Sequence, residues 1–564
     1  MRLEYLGNVA VLSQLFASHP LASALAALIL VRLAYLLFLR RQLSRAKHRS
    51  LAGHARWSRR LARWLPFYEY DAARFFQVDD APTDIIEQRR SAFERLAELF
   101  AARYPQSIAW SQATAPQVAD MQFVSRYRVP FQFSRLVREH IQFGSVLTAS
   151  QGVTVSDLDG NVFYDLTGSY GVNVFGYDFY KRCMDQGMER AHALGPVLGG
   201  YHECLQYNVQ RLCEISGMQQ VSFHMSGTEA VMQAVRLARY HTSKRHLVRF
   251  CGAYHGWWGD VQPGVGNPQT ARDTYTLADM SERSLAVLRT RNDIACVLIN
   301  PLQGLHPNQN APGDSSLVDS SRHANFDRAA YTHWLKQVRE VCSQRGIVLI
   351  FDEVFLGFRL GKGGAQAYFD VKADLVTYGK TVAGGLPIGV VCGPEQLMRR
   401  YDPQHPANIC FARGTFNSHP YVMASMQAFL QALDETWIQN LYANLAIWDE
   451  RANQLNAALA AANLPLQVRN LSSVWTLLFT QPSHYSWMLQ FYLRAEGLAL
   501  SWIGTGRFIF SLNYTQAEFD EVSKRLVQAA QRMHADGWWW HQPGLTNKHI
   551  KRQLLKEMLA AKFK

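Results

Sequence analysis

Two side chains in this 564-residue chain have the type and setting for covalent chemistry on a carbonyl. Lys380 sits in Thr377-Tyr378-Gly379-Lys380-Thr381-Val382-Ala383-Gly384-Gly385, a glycine-flanked turn. Asp352 closes Ile347-Val348-Leu349-Ile350-Phe351, a short β-branched run that reads as a buried strand. Ligands of open α/β sheets bind at the carboxyl ends of strands, so both residues can reach one crevice. A lysine there can form a Schiff base, and a buried aspartate can keep a pyridinium nitrogen protonated. Together they are what pyridoxal phosphate chemistry requires. Taken singly, an exposed lysine and a helix-capping aspartate explain them as well, so the surrounding motifs decide.

The elements around them supply the rest of a site. Ser226-Gly227-Thr228 opens an amphipathic helix with Ala230, Val231, Ala234, Val235 and Ala238 on one side. Such a turn presents free N–H groups and the positive end of the helix dipole, a ready phosphate site. Plain N-capping by Ser226 or Thr228 is the alternative. Tyr254, after the strand-like Leu247-Val248-Arg249-Phe250, can stack on a planar ring or be an ordinary half-buried aromatic. Val354 would press on the other ring face, or be a core valine. His255 is assigned no role. The Thr415 hydroxyl could reach a phosphate. Arg507 is a candidate for carboxylate binding, with a surface or interface salt bridge equally open.

In chain order these motifs resemble those of class III aminotransferases, and within them the glutamate-1-semialdehyde aminomutase branch. The resemblance rests on Val155-Ser156-Asp157-Leu158-Asp159-Gly160, Met225-Ser226-Gly227-Thr228-Glu229-Ala230, Gly252-Ala253-Tyr254-His255-Gly256 and Asp352-Glu353-Val354. It continues through Gly357-Phe358-Arg359, Gly363-Gly364-Ala365-Gln366, the Lys380 turn and Gly414-Thr415-Phe416-Asn417-Ser418-His419-Pro420. It implies a fold-type-I α/β enzyme, with a large lobe around a mostly parallel sheet and a smaller α/β lobe. It implies that Lys380 carries pyridoxal 5′-phosphate and moves a proton, with Asp352 on the ring nitrogen. Ser226, Gly227, Thr228, Tyr254, Val354 and Thr415 become cofactor contacts. In the family that threonine comes from the partner subunit, which implies a homodimer with shared active sites.

The implied activity is transfer of an amino group from a small-molecule amine donor to an aldehyde or ketone. An aminomutase working within one substrate is the alternative enzyme, and a non-catalytic binding protein on this fold the non-enzyme one. Two departures matter. Asn300 stands where many class III members have a Glu before proline, and Leu305 where glutamate users often carry another Glu. The second puts a glutamate cycle in doubt, although the aminomutase branch lacks that residue too.

Charge separates the body from its ends. The formal net charge is +13, yet residues 5–68 hold ten Lys or Arg and no acid, and residues 547–564 hold six bases and one acid. The body between is close to neutral, so nucleic acid is not an expected partner. Eight cysteines without a Cys-x-x-Cys pair read as reduced core thiols, and no metal site is expected.

Residues 21–39 contain one charge, Arg32, and eleven Leu, Ile, Val or Phe. At roughly −0.3 to −0.6 kcal/mol each against about 2.5–3.5 for the arginine, the sum favours a transmembrane helix. Nine bases from Arg40 to Arg63 then place the catalytic body on the cytoplasmic side of a membrane, single-pass. Trp57, Leu61, Trp64 and Leu65 at helical spacing among arginines suit an anionic surface. An anchor suggests a lipophilic substrate, a fatty or polyketide-derived chain. The expected division is an anchor and basic segment over 1–68 and a helical connector over 69–140. The small lobe takes 141–215 and 446–536 around a cofactor-binding lobe over 216–445. A Trp-rich basic tail over 537–564 ends the chain, open between membrane contact and closing a dimer.

Overall fold

The computed structural model describes residues 20–48, 54–122, 129–144, 146–262, 266, 272–306, 320, 323–500 and 506–563. A small antiparallel meander comes first: β1 (Leu147–Gln151), β2 (Thr154–Asp157) and β3 (Val162–Asp165). Seven strands then build the large sheet. They are β4 (Gln220–His224), β5 (His246–Phe250), β6 (Thr274–Leu277), β7 (Ile294–Ile299), β8 (Val348–Asp352), β9 (Leu375–Gly379) and β10 (Gly389–Gly393). Their order in space is β4-β10-β9-β8-β7-β5-β6. The strands β5 to β9 pair in parallel, while β10 runs antiparallel between β4 and β9.

Every residue of β7, β8 and β9 is buried. Continuous apolar runs of this kind need helices on both faces of the sheet. The late chain forms β11 (Leu466–Leu471), β12 (Val474–Phe479), β13 (Leu498–Ala499) and β14 (Arg507–Ile509). Three of them make the antiparallel sheet β11-β12-β14, and β13 adds in parallel to β3. The small lobe is thus stitched from both ends of the family-like body. This is the α/β architecture that the motifs imply.

The connector and the tail pack on each other. Arg89, in the helix Thr83–Arg103, grips Asp79 through two hydrogen bonds of 2.8 and 2.7 Å, both side chains fully buried. The same guanidinium donates to the Gly537 carbonyl at 2.9 Å and lies over the Tyr485 ring. Trp538 and Trp539 are buried in the protein rather than presented outward. The helix Asn547–Lys562 sends Glu557 to the Tyr70 hydroxyl at 2.5 Å and the Arg74 guanidinium at 3.2 Å. The tail therefore closes on its own chain.

The expected transmembrane helix has to be corrected, and the single-pass placement with it. Among the described residues no helix is long and apolar enough to cross a membrane. The helix Pro20–Ala46 forms, with Arg32 inside its apolar run and Arg40, Arg41 and Arg45 after it. Each guanidinium costs about 2.5–3.5 kcal/mol at mid-membrane depth. Its last turns are also docked on the large lobe. Ala46 is buried and its carbonyl accepts from Ala278 N–H at 2.9 Å, and Gln42 accepts from Thr290 at 2.7 Å. The argument for a lipophilic substrate falls with the span.

Candidate active site

Two neighbouring parallel strands end side by side, with Asp352 of β8 in register with Thr377 of β9. Two residues after Thr377 the chain leaves β9 at Gly379, and Lys380 opens a tight turn to Ala383 with a left-handed φ of 52°. Thr381 helps hold this turn through a hydrogen bond to the Tyr180 hydroxyl. Asp352 is buried, and its Oδ2 lies 2.7 Å from Nδ1 of His255. Its Oδ1 accepts from the Val354 N–H at 3.1 Å and the Thr377 hydroxyl at 3.4 Å. A carboxylate only accepts, so the His255 nitrogen facing it carries the proton. The other ring nitrogen of His255 is buried and has no hydrogen-bond partner among the described residues.

Three motifs distant in sequence converge here because two of the positions lack side chains. A Cβ on Gly227 would lie 2.5 Å from Cγ1 of Val354. One on Gly379 would lie 3.1 Å from the same atom and 3.6 Å from the Gly227 Cα. The amino end of the helix Gly227–Thr242, the Asp-Glu-Val segment and the Lys380 turn therefore touch. Ser226 caps that helix, accepting from Glu229 N–H at 3.3 Å, while Glu229 accepts from Met225 N–H at 2.9 Å. Gly256, at φ +88°, lies flat against Thr228, whose Oγ1 would be 2.5 Å from an added Cβ. Tyr254 leaves much of its ring exposed, at 60%.

Burial decides the electrostatics. It lowers the Lys380 amine from its ordinary value, with Asp352 opposing and Arg359 reinforcing the change. The amine makes no ion pair among the described residues and lies 5.9 Å from the centre of the Phe355 ring. Burial also pushes the Glu353 carboxyl up to about 7, although its Oε2 accepts from Ala365 N–H at 2.7 Å. Arg507 on β14 is drawn down to about 10 by burial alone; its Nε is buried and has no partner among the described residues. The turn Gly168–Gly171 links it to the lysine. Gly168 packs on Ile509 of β14, and Gly171 on Phe355.

Thr415 does not join this group within the chain. It is exposed on a groove of about 760 Å³ lined also by Tyr201, Arg400, Ile409 and Phe411. His255 is the residue that sequence reasoning left without a role. Its place in Gly-Ala-Tyr-His-Gly marked the segment but not the contact with Asp352. Asn300, at the first departure, turns its side chain back to cap Leu302 N–H at 3.1 Å.

The family model for class III aminotransferases matches residues 137–262 and 326–530, which include this whole constellation. The chain belongs to the class III aminotransferases. It is similar to the glutamate-1-semialdehyde 2,1-aminomutase of Caldicellulosiruptor bescii, 30% identical over 354 residues, covering 59% of this chain and 76% of that one. A second relative is the enzyme of the same name from Methanosphaera stadtmanae, 28% identical over 367 residues, or 62% and 80%. Among solved structures, a transaminase with pyridoxal phosphate bound superposes with a TM-score of 0.58 at 25% identity, over 75% of this chain and 99% of that one. The β-phenylalanine aminotransferase of Variovorax paradoxus gives 0.62 at 24%, over 80% and 98%.

This class III aminotransferase is an enzyme whose cofactor is pyridoxal 5′-phosphate. Its residues fit that group. A half-buried lysine with no ion pair among the described residues, a His255 nitrogen with no partner there behind a buried aspartate, and a helix start with Val354 and Gly379 against it lie together.

Proposed function

We propose that the enzyme moves an amino group between a small-molecule amine and an aldehyde or ketone, with Lys380 and Asp352 as its catalytic residues. The observation that carries this reading is the convergence of the Lys380 turn, the Asp352–His255 pair and the amino end of the helix Gly227–Thr242. Bound there, pyridoxal phosphate supplies an electron-accepting ring for the charge released when a substrate C–H bond breaks. Asp352 keeps the ring nitrogen protonated, and His255 donates to Asp352 from behind and fixes its direction. Lys380, biased by burial toward the free amine, would take the proton from the substrate carbon and deliver it to the cofactor carbon that carries the amino nitrogen. Ser226, Gly227 and Thr228 hold the phosphate at the helix start, where Ser226 also caps. Tyr254 and Val354 would flank the ring.

Arg507 directs the choice of substrate. A half-buried guanidinium without an acidic partner among the described residues is suited to a carboxylate, so the reading favours amino-acid-like donors or keto-acid-like acceptors. The active form is a homodimer. The exposed Ile409, Phe411 and Phe416 beside the groove are covered by a second copy, and Thr415 serves the partner's cofactor.

A second reading, an aminomutase that keeps the nitrogen within one substrate, is favoured by the names of the relatives. A nitrogen-labelled amine donor separates the two. Label in the product, with the donor's carbonyl compound accumulating, supports transfer between molecules; product formed without any donor supports the aminomutase. Borohydride should fix the cofactor to the peptide holding Lys380, and attachment elsewhere would overturn the assignment of that lysine.

A further inference from the structure

Arg359 is fully buried and has no carboxylate partner among the described residues. Its hydrogen bonds all go to neutral acceptors: the Ser473 hydroxyl at 2.7 Å, the Phe510 carbonyl at 2.6 Å and the Asn173 carbonyl at 3.0 Å. Its Nε is left without a partner. Those acceptors belong to the small lobe, two beside β12 and β14 and one just after the turn Gly168–Gly171. Arg359 itself follows the Asp-Glu-Val segment of the large lobe. A neutral side chain of similar length would fill this space without the penalty of an uncompensated buried charge. Burial does draw its own value down to about 10, yet at neutral pH it still carries its proton.

Phe355 is a shared neighbour of that charge and the lysine. The Arg359 guanidinium lies 6.0 Å from the centre of the Phe355 ring, and the Lys380 amine 5.9 Å from the same centre. We infer that Arg359 is a positioning residue that couples docking of the two lobes to the charge carried by Lys380. With the small lobe seated, its three acceptors fix the guanidinium behind Phe355, and the fixed charge opposes protonation of the lysine. With the lobes parted, those acceptors leave, water screens the guanidinium, and the amine reverts to its ammonium form.

The charged groups facing the lysine are Asp352, which favours the ammonium, and Arg359, which opposes it. His255 faces Asp352, while Tyr180 and Tyr442 face Arg359 and are held neutral by burial. The inference rests on Lys380 being the reactive lysine, which borohydride trapping checks independently.

The test uses the full-length chain stripped of cofactor and competitively acetylated across neutral to alkaline pH, with mass spectrometry reading the fraction modified at Lys380. In Arg359→Gln the midpoint of labelling should move to higher pH. Ser473→Asp should move it the same way, because it neutralises the guanidinium in place. Arg359→Lys, which keeps the charge, should stay near the wild-type midpoint. Ser473→Ala loses a hydrogen bond but no charge, so it should lower the melting temperature and leave the midpoint alone. If Arg359→Gln does not fold, Ser473→Asp alone decides. An unchanged midpoint in the folded charge-removing variants would reduce Arg359 to a structural clamp and overturn the inference. Borohydride attachment at another residue would instead overturn the reading of Lys380.

Discussion

Replacing Asp352 by Asn tests the electrostatic core of the mechanism at nearly constant volume. The amide oxygen can keep the Val354 N–H and Thr377 contacts at 3.1 and 3.4 Å. The amide nitrogen would replace the oxygen 2.7 Å from His255, so a donor would meet a donor until the imidazole changed tautomer. More important, a neutral amide cannot hold a proton on the cofactor nitrogen by charge. The site is dry, since Asp352 is 2% exposed, and water does not replace the lost interaction. Losing one preorganised electrostatic partner in such a site costs ~2.7–4 kcal/mol of barrier, or ~100- to 1000-fold in rate. Single-turnover kinetics with a saturating amine, followed by the change in cofactor absorbance, isolate the step; cofactor content measured on the same sample separates chemistry from binding. A variant that retains cofactor and reacts within a few-fold of wild type would show that another group supports the ring nitrogen.

Three further outcomes follow from the same coordinates. Gly256→Ala puts a Cβ 2.5 Å from the Thr228 hydroxyl at φ +88°, strain of ~1–3 kcal/mol, and should weaken cofactor binding roughly 10- to 100-fold in a fluorescence titration; unchanged affinity would remove Thr228 from the phosphate site. Glu353 is raised from 4.5 to about 7, so the folded chain holds its proton more tightly than the unfolded chain does. The stability it contributes is present below 4.5 and lost as pH rises through 7, so wild type should lose about 3 kcal/mol relative to Glu353→Gln across that window in urea melts; a constant gap would refute the burial argument. Arg89→Ala leaves Asp79 buried and unpaired and should destabilise by ~3–5 kcal/mol in the same assay, against near-neutrality if the pair were solvated.

What was legible in the sequence was local. The runs ending at Asp352 and Gly379 are short, apolar and β-branched, and their strands lie next to each other in the sheet. The helix opened by Ser226 shows its apolar spacing and its cap in a single window. What was hidden depends on contacts between distant segments. No periodicity announces that His255 will meet Asp352, that Arg359 will bond to Asn173 and Phe510, or that Trp538 will be buried beside Tyr485. The amino-terminal helix misled for the same reason. A hydropathy window weighs side chains as if each faced a uniform medium, and so misses the end that docks on the large lobe through Gln42 and Ala46.

The clasp between the chain's two ends also sets an order in time. The Tyr485 hydroxyl donates to the Phe75 carbonyl across 410 residues, and Gly537 accepts from Arg89 across 448. A ribosome adding roughly 5–20 residues per second needs about 20–90 s to cover such separations. Throughout that interval Phe75 and Phe76 have early neighbours such as Phe93 and Phe133 but lack Trp487 and Trp538. The face that Trp487 and Trp538 cover stays open until those residues are made, and any brake on translation of the large lobe lengthens that exposure in proportion.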